Sequence, residues 1–141
     1  MSVPAKMLTV SVEEYLSSEE NSKTKHEYVN GQVFAMVGTT LAHNSIVLNI
    51  FSFLRAQLEG SPCRTYVSDI KVRIEQSNCF YYPDVVVACG AFDPKSLFAA
   101  DPVLIVEVLS PSTTDIDRRE KLAAYRTLGS LNEYLIVYQD Q

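Results

Sequence analysis

Val103-Leu104-Ile105-Val106-Glu107-Val108-Leu109 is an apolar run broken by one carboxylate, and the polar connector Ser110-Pro111-Ser112-Thr113-Thr114-Asp115 follows it. A short, β-branched run of this kind reads as a strand buried on both faces. After the connector, residues 117–128 carry Lys121, Ala124, Tyr125 and Leu128 at helical spacing, and Gly129 stops them. Glu133–Tyr138 is a last strand. Upstream, Tyr81–Cys89 is a second near-continuous apolar run, with Asp84 as its one charged residue. Thr65–Glu75 alternates, placing Tyr66, Ile70, Val72 and Ile74 on one face and Asp69, Lys71 and Arg73 on the other. The loop between the two apolar strands turns at Asp93-Pro94.

Further out, the spacing of Val47, Ile50, Phe51, Leu54 and Leu58 predicts a core helix over 43–58, stopped by Gly60. Asn30-Gly31 suits a type I′ turn between two short strands spanning 25–37. Ser11-Val12-Glu13-Glu14 is a capping box that opens a helix to about Glu20. The acids of that helix, Glu13, Glu14, Glu19 and Glu20, read as a solvated face. The order is helix, strands, helix, strand, which predicts an α/β fold with a central mixed sheet flanked by helices. Residues 1–10 are a tail, and 11–141 one domain.

The composition suits that class. The 141 residues are 47% hydrophobic and 21% charged, the proportions of a soluble domain. No apolar run approaches the roughly 18 residues of a membrane helix, and the first residues lack a signal-peptide core. Three cysteines, none at CxxC spacing, argue against a disulfide framework and for core positions in a reducing cytoplasm. Twelve basic against seventeen acidic residues give a formal charge of −5, which argues against a broad basic surface for nucleic acid. An acidic metal site remains compatible with it.

Asp84 and Glu107 carry the chemistry because their neighbours are apolar. A buried, unpaired carboxylate costs several kcal/mol, so each needs a cation, a donor or a proton. A shared hard cation such as Mg²⁺ is one solution; an ordinary arginine or backbone partner at a sheet edge is the other. Lys121 bears on the choice. Glu107 lies two residues from its strand's end, about 6.6 Å back at ~3.3 Å per residue. Lys121 lies four residues into the returning helix, about 6 Å at ~1.5 Å per residue. A helix folded over the strand brings the two side chains to one level; the alternative is a lysine that lifts its amine into water. Glu27, before the hairpin turn, is either a third acid or a solvated strand residue. His43 reads as a cap or a satisfied polar residue rather than a ligand. No G-x-S-x-G elbow, P-loop or G-x-G-x-x-G is present.

Taken together, Glu27-Tyr28-Val29-Asn30-Gly31, Tyr82-Pro83-Asp84-Val85-Val86-Val87, Val106-Glu107-Val108-Leu109-Ser110-Pro111-Ser112-Thr113, Asp117-Arg118-Arg119-Glu120-Lys121 and Glu133-Tyr134 resemble the Uma-type restriction endonuclease family. That family is a domain of unknown function within the PD-(D/E)XK nuclease superfamily. The resemblance runs from about residue 8 to the end, and Val106–Thr113 with Asp117–Lys121 is its specific part. It implies a restriction-endonuclease-like fold and hydrolysis of DNA phosphodiesters with Mg²⁺ or Mn²⁺. It also implies metal ligands at Asp84 and Glu107, and an early acid at Glu27. The lysine of the E-x-K motif falls at Leu109 and is absent, so Lys121 resembles a lysine migrated to the next helix. Members commonly continue with further strands, which implies that C-terminal strands are missing here. The last strand is then an open edge and a homodimer is expected through it. Two rivals stand beside this reading: an inactive nuclease-like interaction module, and an enzyme acting on another phosphate substrate.

Overall fold

A computed structural model describes residues 9–36, 38–110 and 115–139, and the side chain of Ile116 is not among them. The expected tail lies outside these residues up to position 8, as do positions 111–114 of the polar connector. Helix α1 (Val12–Glu20) opens with the predicted capping box. The Ser11 hydroxyl accepts from the Glu14 N–H, and Glu14 Oε1 accepts from the Ser11 N–H. Strands β1 (His26–Val29) and β2 (Gln32–Ala35) form the hairpin at Asn30-Gly31, both at positive φ, 46° and 94°. A type I′ turn demands that conformation. Helix α2 (Leu41–Gln57) is capped by Thr40, whose side chain accepts from the His43 N–H.

Both long strands expected from the pattern are divided. Thr65–Glu75 becomes β3 (Arg64–Val67) and β4 (Val72–Ile74), and Tyr81–Cys89 becomes β5 (Cys79–Tyr81) and β6 (Val85–Ala88). In place of a single central sheet there are two, an antiparallel β2-β1-β5-β4 and a mixed β3-β6-β7-β8. The mixed sheet is completed by β7 (Pro102–Leu109) and β8 (Glu133–Tyr138), which run parallel on either side of helix α3 (Asp115–Tyr125). The breaks have local causes. Ser68 takes φ 45°, outside the strand region, and Pro83 has no N–H to give a ladder. The two crossings are tied together where they pass, since the Ser68 N–H donates to the Asp84 carbonyl at 3.1 Å. Asp84 therefore stands where the chain steps from one sheet to the other.

Both faces of the mixed sheet are covered. Val47 of α2 packs on Val85, Val106 and Val108. Val86 and Ile105 face Ala124 and Tyr125 of α3, with Val72, Ile74 and Tyr81. This double cover is why β6 and β7 read as apolar runs rather than alternating ones. Tyr15 of α1 packs on Tyr28 and Phe80 of the antiparallel sheet.

Two expectations need correction. Glu19 is buried, not solvated. It accepts from the His26 N–H at 2.6 Å and the Tyr82 hydroxyl at 2.7 Å. Lying four residues after Tyr15, it shares that tyrosine's buried face of α1. Leaving either donor unpaired would cost about 1–3 kcal/mol, so Glu19 fixes Tyr82 and, through it, the approach to Asp84. Cys63 and Cys89 are not separate core residues but form a disulfide, and Cys79 is buried and free. Strand register produces the pair: Arg64 faces Ala88 in the antiparallel β3–β6 ladder, so the next opposed positions are 63 and 89.

Candidate active site

A cavity of about 710 Å³ opens where the two sheets meet, lined among others by Glu27, His43, Asp84, Glu107, Leu109 and Lys121. All four acid and lysine positions singled out in the sequence thus face one space. Their supply differs by element. The β6–β7 register pairs Val85 with Val106, and one step further on sets Asp84 across from Glu107. Glu27 comes from β1 in the other sheet, and Lys121 from α3 above the first.

Asp84 Oδ2 accepts from the Val108 N–H at 2.7 Å and lies 3.4 Å from His43 Nε2. Glu107 is only 9% exposed and accepts from the Tyr125 hydroxyl at 3.2 Å. Burial pushes its carboxyl up to about 7; Asp84 and Glu27 add to the rise, while Lys121 and Tyr125 oppose it. Lys121 reaches the site as the level argument expects, but its ion pair is with Glu27 Oε2 at 3.0 Å. Its amine also lies 5.2 Å from the Tyr81 ring centre. Burial alone would lower the amine's pKa, but Glu107 and then Glu27 outweigh it, so the net direction is up. Lys121 is a fixed ammonium here. The question left open at Glu27 is answered by contact: it is the lysine's counter-ion.

Among the described residues no three His, Cys, Asp or Glu side chains stand close enough together to hold a metal ion. A site built from two carboxylates still suits Mg²⁺, which keeps several waters and commonly takes one or two protein carboxylates beside substrate phosphate. The Asp84–Glu107 pair supplies hard oxygen donors that face one cavity. The residues present fit the ion. His43 is not the cap, since Thr40 holds that position, but it is the satisfied polar residue the sequence offers: its Nε2 lies 2.9 Å from the Val108 carbonyl oxygen. What the pattern leaves out is that the ring faces the site. Its place, three residues after the capping threonine and four before buried Val47, was the available signal.

The raised Glu107 pKa has a stability consequence with a definite sign. Ordinary carboxyls of this type titrate near 4.5, and folded Glu107 near 7. Between those values the folded state holds a proton that the unfolded state has released, so stability falls as pH rises through the window. Metal-free protein is expected to lose on the order of 3 kcal/mol between pH 4 and pH 8 from this group. Glu107→Gln should remove that slope. Urea denaturation at several pH values checks this, and parallel profiles for the two proteins would refute it.

The fold is similar to that of a crystal structure from Anabaena variabilis ATCC 29413, described as a putative nuclease belonging to DUF820. The match has a TM-score of 0.75 at 15% identity and covers 93% of this chain and 75% of that one. Residues 12–141 match the Uma2 model, described as putative restriction endonuclease, and the chain belongs to that family. Two uncharacterized proteins of Synechocystis sp. (strain ATCC 27184 / PCC 6803 / Kazusa) are also similar. One, slr1290, is 40% identical over 91% of this chain and 68% of its own length. The other, sll1609, is 33% identical over 99% of this chain and 80% of its own length. Among the described residues no helix is long and apolar enough to cross a membrane.

Proposed function

We propose that this chain is a metal-dependent endonuclease that hydrolyses DNA phosphodiester bonds. The observation that carries the reading is that Asp84 and Glu107 line one cavity with the charged Lys121, where the β6–β7 register extended one step sets the two carboxylates across from each other. Asp84 and Glu107 would hold one or two Mg²⁺ or Mn²⁺ ions, which supply polarisation of the phosphate and a lowered pKa for the attacking water. The protein's own groups do the rest. Lys121, held charged, is unfit as a base and fit to stabilise the negative charge that develops on the phosphoryl oxygens. Glu27 holds the ammonium in place, as a partner rather than a ligand. Tyr125 orients Glu107 through its hydroxyl.

Lys25 and Arg118 also line the cavity, which gives an acidic protein local positive charge for flanking phosphates. Family membership supports the same class of reaction, and the family's description is the support for reading DNA as the substrate. Incubation with supercoiled plasmid tests the proposal. Nicked and linear products are expected with Mg²⁺ or Mn²⁺ and none with a chelator. Intact plasmid under every metal condition, beside cleavage of an RNA or a small phosphodiester, would move the substrate elsewhere.

A further inference from the structure

Carried two steps beyond Val85 and Val106, the β6–β7 register sets Pro83 opposite Val108. A proline has no N–H to offer that strand. The Val108 peptide groups are satisfied by side chains instead. The N–H donates to Asp84 Oδ2 at 2.7 Å, and the carbonyl oxygen lies 2.9 Å from His43 Nε2. A carbonyl oxygen only accepts, so His43 Nε2 carries the hydrogen and donates it. The same nitrogen stands 3.4 Å from Asp84 Oδ2. That oxygen thus lies between the Val108 and His43 N–H groups. The ring itself is anchored, because the Thr40 hydroxyl fixes the His43 backbone and Val47, on the same helix face, is seated on the sheet.

We propose that His43 is a positioning residue for the site: its imidazole replaces the backbone donor that Pro83 cannot provide, and so fixes the end of β7 and the Asp84 carboxylate before a cation arrives. This rests on the reading of Asp84 as a metal ligand. It assigns His43 no bond to the ion, since the nitrogen that faces the site is already a donor. Groups that orient a ligand in this way typically change metal affinity about 10- to 100-fold when removed.

Titration calorimetry of Mg²⁺ and Mn²⁺ with the wild-type chain and with His43→Ala, His43→Gln and His43→Asn tests it. Circular dichroism serves as the check on folding. His43→Ala is expected to weaken both ions by a similar factor within that range. His43→Gln, whose amide reaches as far as Nε2, is expected to restore most of the affinity, and the shorter His43→Asn little. If the alanine variant fails to fold, the glutamine–asparagine contrast carries the same comparison. Wild-type affinity in the alanine and asparagine variants would overturn the proposal. So would a loss confined to Mn²⁺, which would make the imidazole a direct ligand, since Mn²⁺ accepts a nitrogen donor more readily than the strictly oxygen-seeking Mg²⁺. A wild-type chain that binds neither ion would overturn the metal reading itself, and this inference with it.

Discussion

Glu107→Gln is expected to abolish metal binding and reduce plasmid cleavage by ~10³-fold or more, while leaving the metal-free protein more stable at neutral pH. A catalytic ion supplies several kcal/mol of charge stabilisation in the transition state, and each ~1.4 kcal/mol is a factor of ten in rate. The opposite sign for stability follows from the site's charge. Glu107 is buried beside Asp84 and Glu27, and its raised pKa shows that ionisation there is disfavoured. A neutral amide keeps an acceptor for the Tyr125 hydroxyl and removes the repulsion. Asp84→Asn should lose the ion equally. Its stability gain should be smaller, because the Asp84 carboxylate already accepts from the Val108 N–H at 2.7 Å. Calorimetry with Mn²⁺, plasmid nicking and urea denaturation on the same preparations measure all three effects. Wild-type Mn²⁺ affinity in both variants would remove the shared site from consideration.

The parts of this molecule that were legible in its sequence are those set by local chemistry. Asn30-Gly31 dictates a turn with two positive φ values, Ser11 and Glu14 dictate a cap, and the apolar run at 102–109 dictates a strand covered on both sides. Asp84 and Glu107 were legible because a charge inside such a run demands a partner. What escaped was set by pairing between distant segments. Alternation continues through Ser68 and the apolar run continues through Pro83, so neither pattern showed that the chain changes sheets there. Glu19 looked solvated because its acceptors' partners, His26 and Tyr82, lie 7 and 63 residues away. The Cys63–Cys89 bond likewise depends on a ladder register that spacing does not encode. The rises along β7 and α3 bring Lys121 to the level of Glu107, but they carry no information on Glu27, which enters from the other sheet and pairs with the amine.

Lys121→Ala is expected to lower the cleavage rate by ~10²-fold or more if the ammonium stabilises transition-state charge. Metal affinity should change far less, because the lysine is not a ligand. Its removal also leaves Glu27 and Glu107 without the cation that faces them, so Glu107 should titrate higher still in the variant. A second substitution separates loss of the ammonium from distortion of the site. Leu109 lies two residues after Glu107, on the same face of β7, and lines the same cavity. In the usual E-x-K order the lysine occupies that position. Leu109→Lys in the Lys121→Ala background therefore returns a positive charge to the cavity from the strand instead of the helix, and part of the lost rate should return with it. Recovery should stay incomplete, because a lysine on β7 lacks the Glu27 contact that fixes Lys121 at 3.0 Å. A triple variant that adds Glu27→Gln should lose little further rate, since Glu27 would no longer have an ammonium to hold. Single-turnover cleavage of a defined duplex measures each step. A Lys121→Ala protein that cuts at the wild-type rate would remove the lysine from the mechanism. Rescue that depends on an intact Glu27 would show that this acid acts on the reaction directly, and not through the lysine.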